Sequence, residues 1–218
     1  MSLEFVEYPA QGEHKATVIW LHGLGDSGDG FAPVAPQLAL PSELGIRFIF
    51  PHAPIQPVTI NSGMVMRSWY DIKSMDLANR ADEQGVCESA AKVSQLIERE
   101  IESGITANKI ILAGFSQGGV IALHLAPRLS YKLAGVIALS TYMCAPEKLA
   151  TQLQQRKLDI FMAHGRHDDV VPHSAGKHAY DILKTHDMDV SWQDYPMAHQ
   201  VCGDELIAIR EWLIARLS

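Results

Sequence analysis

Five short apolar runs, at residues 17–21, 47–50, 109–113, 133–139 and 159–163, constrain this chain more than any other feature. Each is continuous rather than alternating, so a strand built from it has no polar face to turn toward water. Such strands are stable in a sheet covered on both sides, which parallel strands with helical crossovers provide. The intervening segments carry the matching helical period. Residues 81–103 put Val86, Ala90, Val93, Ile97 and Ile101 on one face, with Asp82 and Glu83 in the first turn and Gly104 placed to end the helix. A helix over 175–185 and a last one, capped by Asp204 and carrying Leu206, Ile209, Leu213 and Leu217, complete the set. With edge strands at 5–8 and 190–195, the pattern predicts a single α/β domain over residues 1–218, built on a mostly parallel sheet of about seven strands. Residues 51–80 show no period and are rich in proline and large apolar side chains. An irregular stretch of that length in a compact domain reads as a functional loop over the active site.

Bulk properties narrow the function classes. A chain of 218 residues can bury a core that needs neither disulfides nor a structural metal. With 25 acidic and 18 basic side chains, a net charge of −7 and no basic cluster, its field repels phosphate backbones and anionic lipid. Nucleic acid and stable membrane association are therefore not expected. Cys87, Cys144 and Cys202 are widely spaced, without a Cys-x-x-Cys pattern, as in a protein of a reducing compartment. The first residues carry Glu4, Glu7 and Glu13 and no apolar signal segment, and no apolar run approaches the roughly 18 residues of a membrane span. The expected location is cytoplasmic. A homodimer is compatible with this composition.

Chemistry enters at Gly114-Phe115-Ser116-Gln117-Gly118, directly after the apolar run 109–113 and before a segment that reads as a buried helix. Gly-x-Ser-x-Gly at a strand-to-helix turn forces the serine into a strained conformation that exposes its hydroxyl at the top of a sheet. A serine hydroxyl needs a base, and the base needs a third group to fix its tautomer. Past the run 159–163 lies His164-Gly165-Arg166-His167-Asp168-Asp169, which offers Asp168 or Asp169 as the orienting acid. Downstream, His199 sits between the last strand and the last helix, in the chain order Ser, acid, His that this scaffold uses. For the oxyanion, Gln117 supplies the N–H that follows the nucleophile. The glycine-rich loop His22-Gly23-Leu24-Gly25-Asp26 supplies a second from Leu24.

Together these segments resemble the phospholipase/carboxylesterase family of α/β-hydrolases over nearly the whole chain. The matching stretches are His22-Gly23-Leu24-Gly25-Asp26, Pro51-His52-Ala53-Pro54 through Pro57-Val58-Thr59, Trp69-Tyr70-Asp71, Gly114-Phe115-Ser116-Gln117-Gly118-Gly119, His164-Gly165 with Asp168 and Val171-Pro172, and Met197-Ala198-His199. The resemblance implies an α/β-hydrolase fold and a serine esterase acting on a small-molecule ester or acyl substrate, lysophospholipids and acyl-protein thioesters included. It needs no cofactor. It implies Ser116 as nucleophile, Asp168 rather than Asp169 as acid, His199 as base, and Leu24 and Gln117 as oxyanion hole. It also implies an apolar acyl channel under the loop 51–71, which Ile55, Val58, Ile60, Met64, Val65, Met66 and Trp69 are expected to line. Met143, in the loop after 133–140, is a further lining candidate. Two other classes compete on sequence: a metal-dependent hydrolase using His164, His167, Asp168, Asp169 and His173, and a scaffold without chemistry.

Overall fold

The computed structural model describes residues 3–74 and 81–218. In chain order the elements are β1 (Phe5–Tyr8), β2 (Ala16–Leu21), the one-turn helices α1 (Gly28–Phe31) and α2 (Val34–Gln37), β3 (Ile46–Pro51), β4 (Ile55–Val58), β5 (Met64–Arg67) and α3 (Glu83–Glu102). Then come β6 (Ile110–Phe115), α4 (Gln117–Leu125), β7 (Gly135–Leu139), α5 (Leu149–Gln152), β8 (Asp159–Gly165), α6 (His173–Thr185), β9 (Asp189–Tyr195) and α7 (Gly203–Leu217). Seven strands make one sheet in the order β1-β3-β2-β6-β7-β8-β9. Only β1, at an edge, runs antiparallel to its neighbour. The expected architecture is thus present, with both edge strands.

The continuous apolar runs divide their side chains between two cores, one on each face of the sheet. Ile19 and Leu21 of β2, with Leu112 of β6, meet Val86, Val93 and Ile97 of α3, Val120 and Leu123 of α4 and Leu183 of α6. Val18 and Trp20, with Ile111 and Ala113, meet Val34 of α2 and Ile209, Leu213 and Leu217 of α7 on the other face. Helix α4 is buried along its whole length, which explains why its sequence is apolar all round. Gly104, at φ 106°, ends α3 as expected, because a left-handed residue stops a helix at least cost when it has no Cβ.

Two expectations need correction. Asp204 does not cap α7: Cys202 holds the N-cap position and Asp204 lies in the first turn, where its charge still favours the helix dipole. The stretch 51–80 is not wholly irregular, since β4 and β5 pair in an antiparallel hairpin. Its signal was invisible because both strands have four residues, a proline sits in one, and Ile55, Met64 and Val65 point outward rather than alternating. Of that stretch, residues 75–80 lie outside the described part of the chain.

The chain leaves β2 toward β3 on one side, whereas β6 leads to β7, β8 and β9 on the other. At such a switch point the loops past the carboxyl ends of adjacent strands part and leave a crevice. The loops after β2, β6, β7, β8 and β9 converge there.

Candidate active site

Ser116 stands between β6 and α4 with φ 54° and ψ −118°, a left-handed-side conformation that a non-glycine residue adopts only under constraint. The constraint is visible. Its N–H donates to Leu139 O at 2.9 Å, and its carbonyl accepts from Thr141 Oγ1 at 2.7 Å. The flanking glycines are required by contact: a Cβ on Gly114 would lie 2.3 Å from the Gly118 carbonyl, and one on Gly118 would lie 2.3 Å from Leu21 O. The turn can therefore close only with glycine on both sides of the serine.

His199, in the loop between β9 and α7, brings Nε2 to 2.9 Å from Ser116 Oγ. Its Nδ1 lies 2.7 Å from Asp168 Oδ2. Because a carboxylate only accepts, Nδ1 carries the proton and Nε2 is left to accept from the serine hydroxyl. Asp168 Oδ1 accepts from the backbone of Val170 at 3.0 Å and Val171 at 2.8 Å. Burial alone would raise the Asp168 pKa; the His199 hydrogen bond and charge and the two backbone N–H groups outweigh it, so the carboxyl titrates below its ordinary value. Asp169 is exposed, whereas the Asp168 side chain is enclosed.

Leu24 and Gln117 border the same small cavity as Ser116 and His199. Gln117 is the first residue of α4, where N–H groups have no intrahelical acceptor and the helix dipole is positive. Among the described residues, no acceptor takes the Leu24 N–H. A serine with a hydrogen-bonded imidazole, in a cleft that Leu24 and Gln117 also border, can do acyl transfer.

The comparisons with known proteins agree. The model of the phospholipase/carboxylesterase family matches residues 1–216. The chain belongs to that family. It is 42% identical to acyl-protein thioesterase 1 of Neurospora crassa over 220 residues, covering 96% of this chain and 90% of that one. The crystal structure of Arabidopsis thaliana SOBER1 is similar with a TM-score of 0.88 at 31% identity, over 94% of this chain and 100% of that one. Zea mays acyl-protein thioesterase 2 is similar with a TM-score of 0.87 at 27% identity, over 99% of both chains. As a member of the phospholipase/carboxylesterase family, with the α/β-hydrolase fold, the protein is a serine hydrolase acting on esters or thioesters.

The lining of this phospholipase/carboxylesterase site differs from the expectation. The cavity at Ser116 has a volume of about 270 Å³ and is walled by Tyr70, Ile72, Phe115, Tyr142, Val170 and Val171. None of Ile60, Met64, Val65, Met66 and Trp69 borders it. Met64 and Val65 are 63% and 64% exposed. Ile60 and Met66 pack half-buried against the core. Trp69 is only 1% exposed and acts as a clasp, its indole N–H donating to His22 O at 2.9 Å. Met143 lines a larger neighbouring cavity of about 890 Å³, which shares Tyr142 with the first. Tyr70 and Tyr142 meet hydroxyl to hydroxyl at 3.0 Å. Phe115 ends β6 beside the nucleophile; sequence reasoning missed the other wall residues because they lie outside the strands of the main sheet, where no local period encodes side-chain direction.

Supporting contacts tie the segment after the hairpin to the nucleophile turn. The Gln117 side chain accepts from Trp69 N at 3.0 Å and donates to Tyr70 O at 2.7 Å. Asp71 accepts from Thr59 N at 2.7 Å and Thr59 Oγ1 at 2.6 Å, so it anchors the hairpin. The five residues of the metal reading do not form one ligand set: His164 lies near Asp168 and His173, but its Nε2 donates to Val171 O at 2.8 Å, Asp168 is engaged by His199, His173 Nε2 lies 3.5 Å from Asp194, and His167 and Asp169 are exposed. Among the described residues, no three His, Cys, Asp or Glu side chains are placed to share a metal ion.

Proposed function

We propose that Ser116 is the nucleophile, His199 the general base, Asp168 the orienting acid, and the Leu24 and Gln117 amides the oxyanion hole of a carboxylic ester and thioester hydrolase. The observation that carries this reading is the unbroken chain from Asp168 through His199 to Ser116 Oγ, at 2.7 and 2.9 Å, opening on a cleft. As Ser116 Oγ bonds to the acyl carbon, His199 Nε2 takes its proton and the carbonyl oxygen becomes an oxyanion against the two amides. Collapse breaks the bond to the leaving oxygen or sulfur, and the imidazolium protonates the departing alcohol or thiol. Water, deprotonated by His199, then cleaves the acyl-Ser116 ester and releases the carboxylic acid.

For the finer substrate, the similarity to proteins named acyl-protein thioesterase supports an S-acylated polypeptide. The cavity of about 890 Å³ beyond Tyr142, with Met143, Ala145, Pro146 and Ala175 beside Lys73, Glu83 and His178 in its walls, supports a bulky acylated substrate over a small ester. Among the described residues no helix is long and apolar enough to cross a membrane, and the acidic surface charge and dispersed cysteines support a cytoplasmic setting for the domain. A fluorophosphonate probe should label Ser116 and abolish hydrolysis of p-nitrophenyl esters. Ser116→Ala should remove labelling and lower turnover by a factor of at least about 10⁴. Labelling that persists in Ser116→Ala would overturn the assignment. An S-acylated peptide compared with a chain-length series of p-nitrophenyl esters distinguishes thioester from ester preference.

A further inference from the structure

His22 is fully buried at the end of β2, one residue before the loop that presents Leu24, and it takes no part in the proton relay. Its two ring nitrogens are committed to different strangers. Nε2 lies 3.1 Å from Ala53 N and must accept, because a backbone N–H only donates. The ring proton is therefore on Nδ1, which lies 2.7 Å from Gly23 O and donates to it. Burial pushes the His22 pKa down, against the raising effects of the Gly23 carbonyl and Asp26 and with the help of His52 and Arg67, so the ring stays neutral as this pattern requires.

The Gly23 carbonyl and the Leu24 N–H belong to one peptide plane, and in a trans peptide they point in opposite directions. Fixing one fixes the other. Fixing is needed here, because the peptide lies between two flexible glycines: Gly23 itself and Gly25, which sits at φ 77°. The loop is pinned on both sides of that peptide, by Trp69 Nε1 donating to His22 O at 2.9 Å and by Gly25 N donating to Arg67 O at 2.9 Å. Those two bonds hold its ends; the Nδ1–H bond acts on the plane between them. The Gly23 carbonyl has one other donor, Asp26 N, at a longer 3.3 Å.

We propose that His22 is a positioning residue for the oxyanion hole: by holding the Gly23 carbonyl it aims the Leu24 N–H at the oxygen that becomes negative during acylation. This rests on the oxyanion role proposed for Leu24. A merely structural role, knitting β2 to residue 53, predicts a different pattern of losses. His22→Asn keeps a donor at the Nδ1 position and loses the acceptor for Ala53 N; His22→Gln reaches the Nε2 position as an acceptor and loses the donor to Gly23 O. The two variants therefore each delete one buried hydrogen bond, but different ones.

The test measures kcat/KM for a p-nitrophenyl ester and the affinity for a trifluoromethyl ketone, which forms a hemiketal oxyanion on the serine, beside its methyl ketone counterpart, which does not. For His22→Gln we expect kcat/KM and trifluoromethyl ketone affinity to fall together by about tenfold or more, with methyl ketone affinity within about twofold of the native value. His22→Asn should stay within about threefold on all three. Equal losses in both variants, or a loss shared by the methyl ketone, overturn the positioning role. Should neither variant fold, the imidazole ¹⁵N spectrum of the native protein decides: an Nδ1–H tautomer at His22 supports the proposal and an Nε2–H tautomer overturns it. Native protein that resists fluorophosphonate labelling would instead sink the serine mechanism itself, a separate failure.

Discussion

Asp168 and Asp169 are adjacent, identical in chemistry and separated in role by burial. Asp168 alone turns inward, where it meets His199 and two backbone N–H groups, while Asp169 faces water. Asp168→Asn should lower kcat by about 10⁴ while leaving residual turnover, since the amides at Leu24 and Gln117 persist. Asp169→Asn should change it by no more than about threefold. A larger loss from Asp169→Asn would reverse the assignment. The lowered pKa of Asp168 has a sign that can be checked. Its hydrogen bonds stabilise the fold fully above the ordinary carboxylate pKa of about 3.9, and that stabilisation is lost as pH falls through the lower native value. An acid-unfolding curve of Asp168→Asn should accordingly lack the part of the native protein's pH dependence that lies below about 3.9. The candidates Ser116, His199 and Gln117 were legible from spacing and chain order; the choice between neighbouring aspartates was not legible from residue type, because side-chain direction depends on the turn after β8.

The β4–β5 hairpin is the element that sequence periodicity missed, and its residues stay out of the cavity they were expected to line. A two-stranded hairpin is marginal alone. This one is held by buried Val58, by the Asp71 bonds to Thr59 and by the contact from Arg67 O to Gly25 N. Asp71→Ala should cost the hairpin about 1–2 kcal/mol, which hydrogen exchange would register as roughly tenfold faster opening at Thr59. Protection in β2 and β6 should be unchanged. Uniform loss of protection across the sheet would show that Asp71 supports the whole fold rather than one element. The same element explains why the expected channel residues were misplaced. Met64 and Val65 are apolar, and on composition alone apolar residues in an active-site loop suggest a lining; both are exposed at the start of β5, while Tyr70 and Ile72, farther along, border the cavity.

At the scale of the molecule, a buried carboxyl group stands outside the catalytic relay. Glu205, in the first turn of α7, is fully buried and neither carboxylate oxygen makes a hydrogen bond among the described residues. Burial pushes its pKa up to about 8, with the nearby Cys202 backbone N–H only partly opposing. The folded protein thus holds a proton there that the unfolded chain releases near the ordinary carboxylate value. The contribution of Glu205 to stability should fall as pH rises from about 4.5 toward about 8 and level off above it, because the native state binds the extra proton only below its own pKa; buried His22, His124 and His164, whose pKa values are lowered, contribute with the opposite sign. Glu205→Gln should flatten that decline and raise the melting temperature at pH 8. A melting-temperature difference between Glu205→Gln and the native protein that is constant over this range would contradict the assignment.

What the sequence determined by itself was everything carried by local pattern. Continuous apolar runs demanded a sheet covered on both faces, the glycines around Ser116 demanded a tight strand-to-helix turn, and the order of Ser116, Asp168 and His199 matched the switch-point geometry. What only the tertiary structure decided were the relations between segments far apart in the chain. These include which loop residues wall the cavity, the hairpin's outward face, the burial of Trp69 as a clasp, and the tautomer of His22 set by Ala53, thirty-one residues away. The physical reason is that a residue's period is set by its neighbours in sequence, whereas the direction of a loop side chain is set by whatever packs against it.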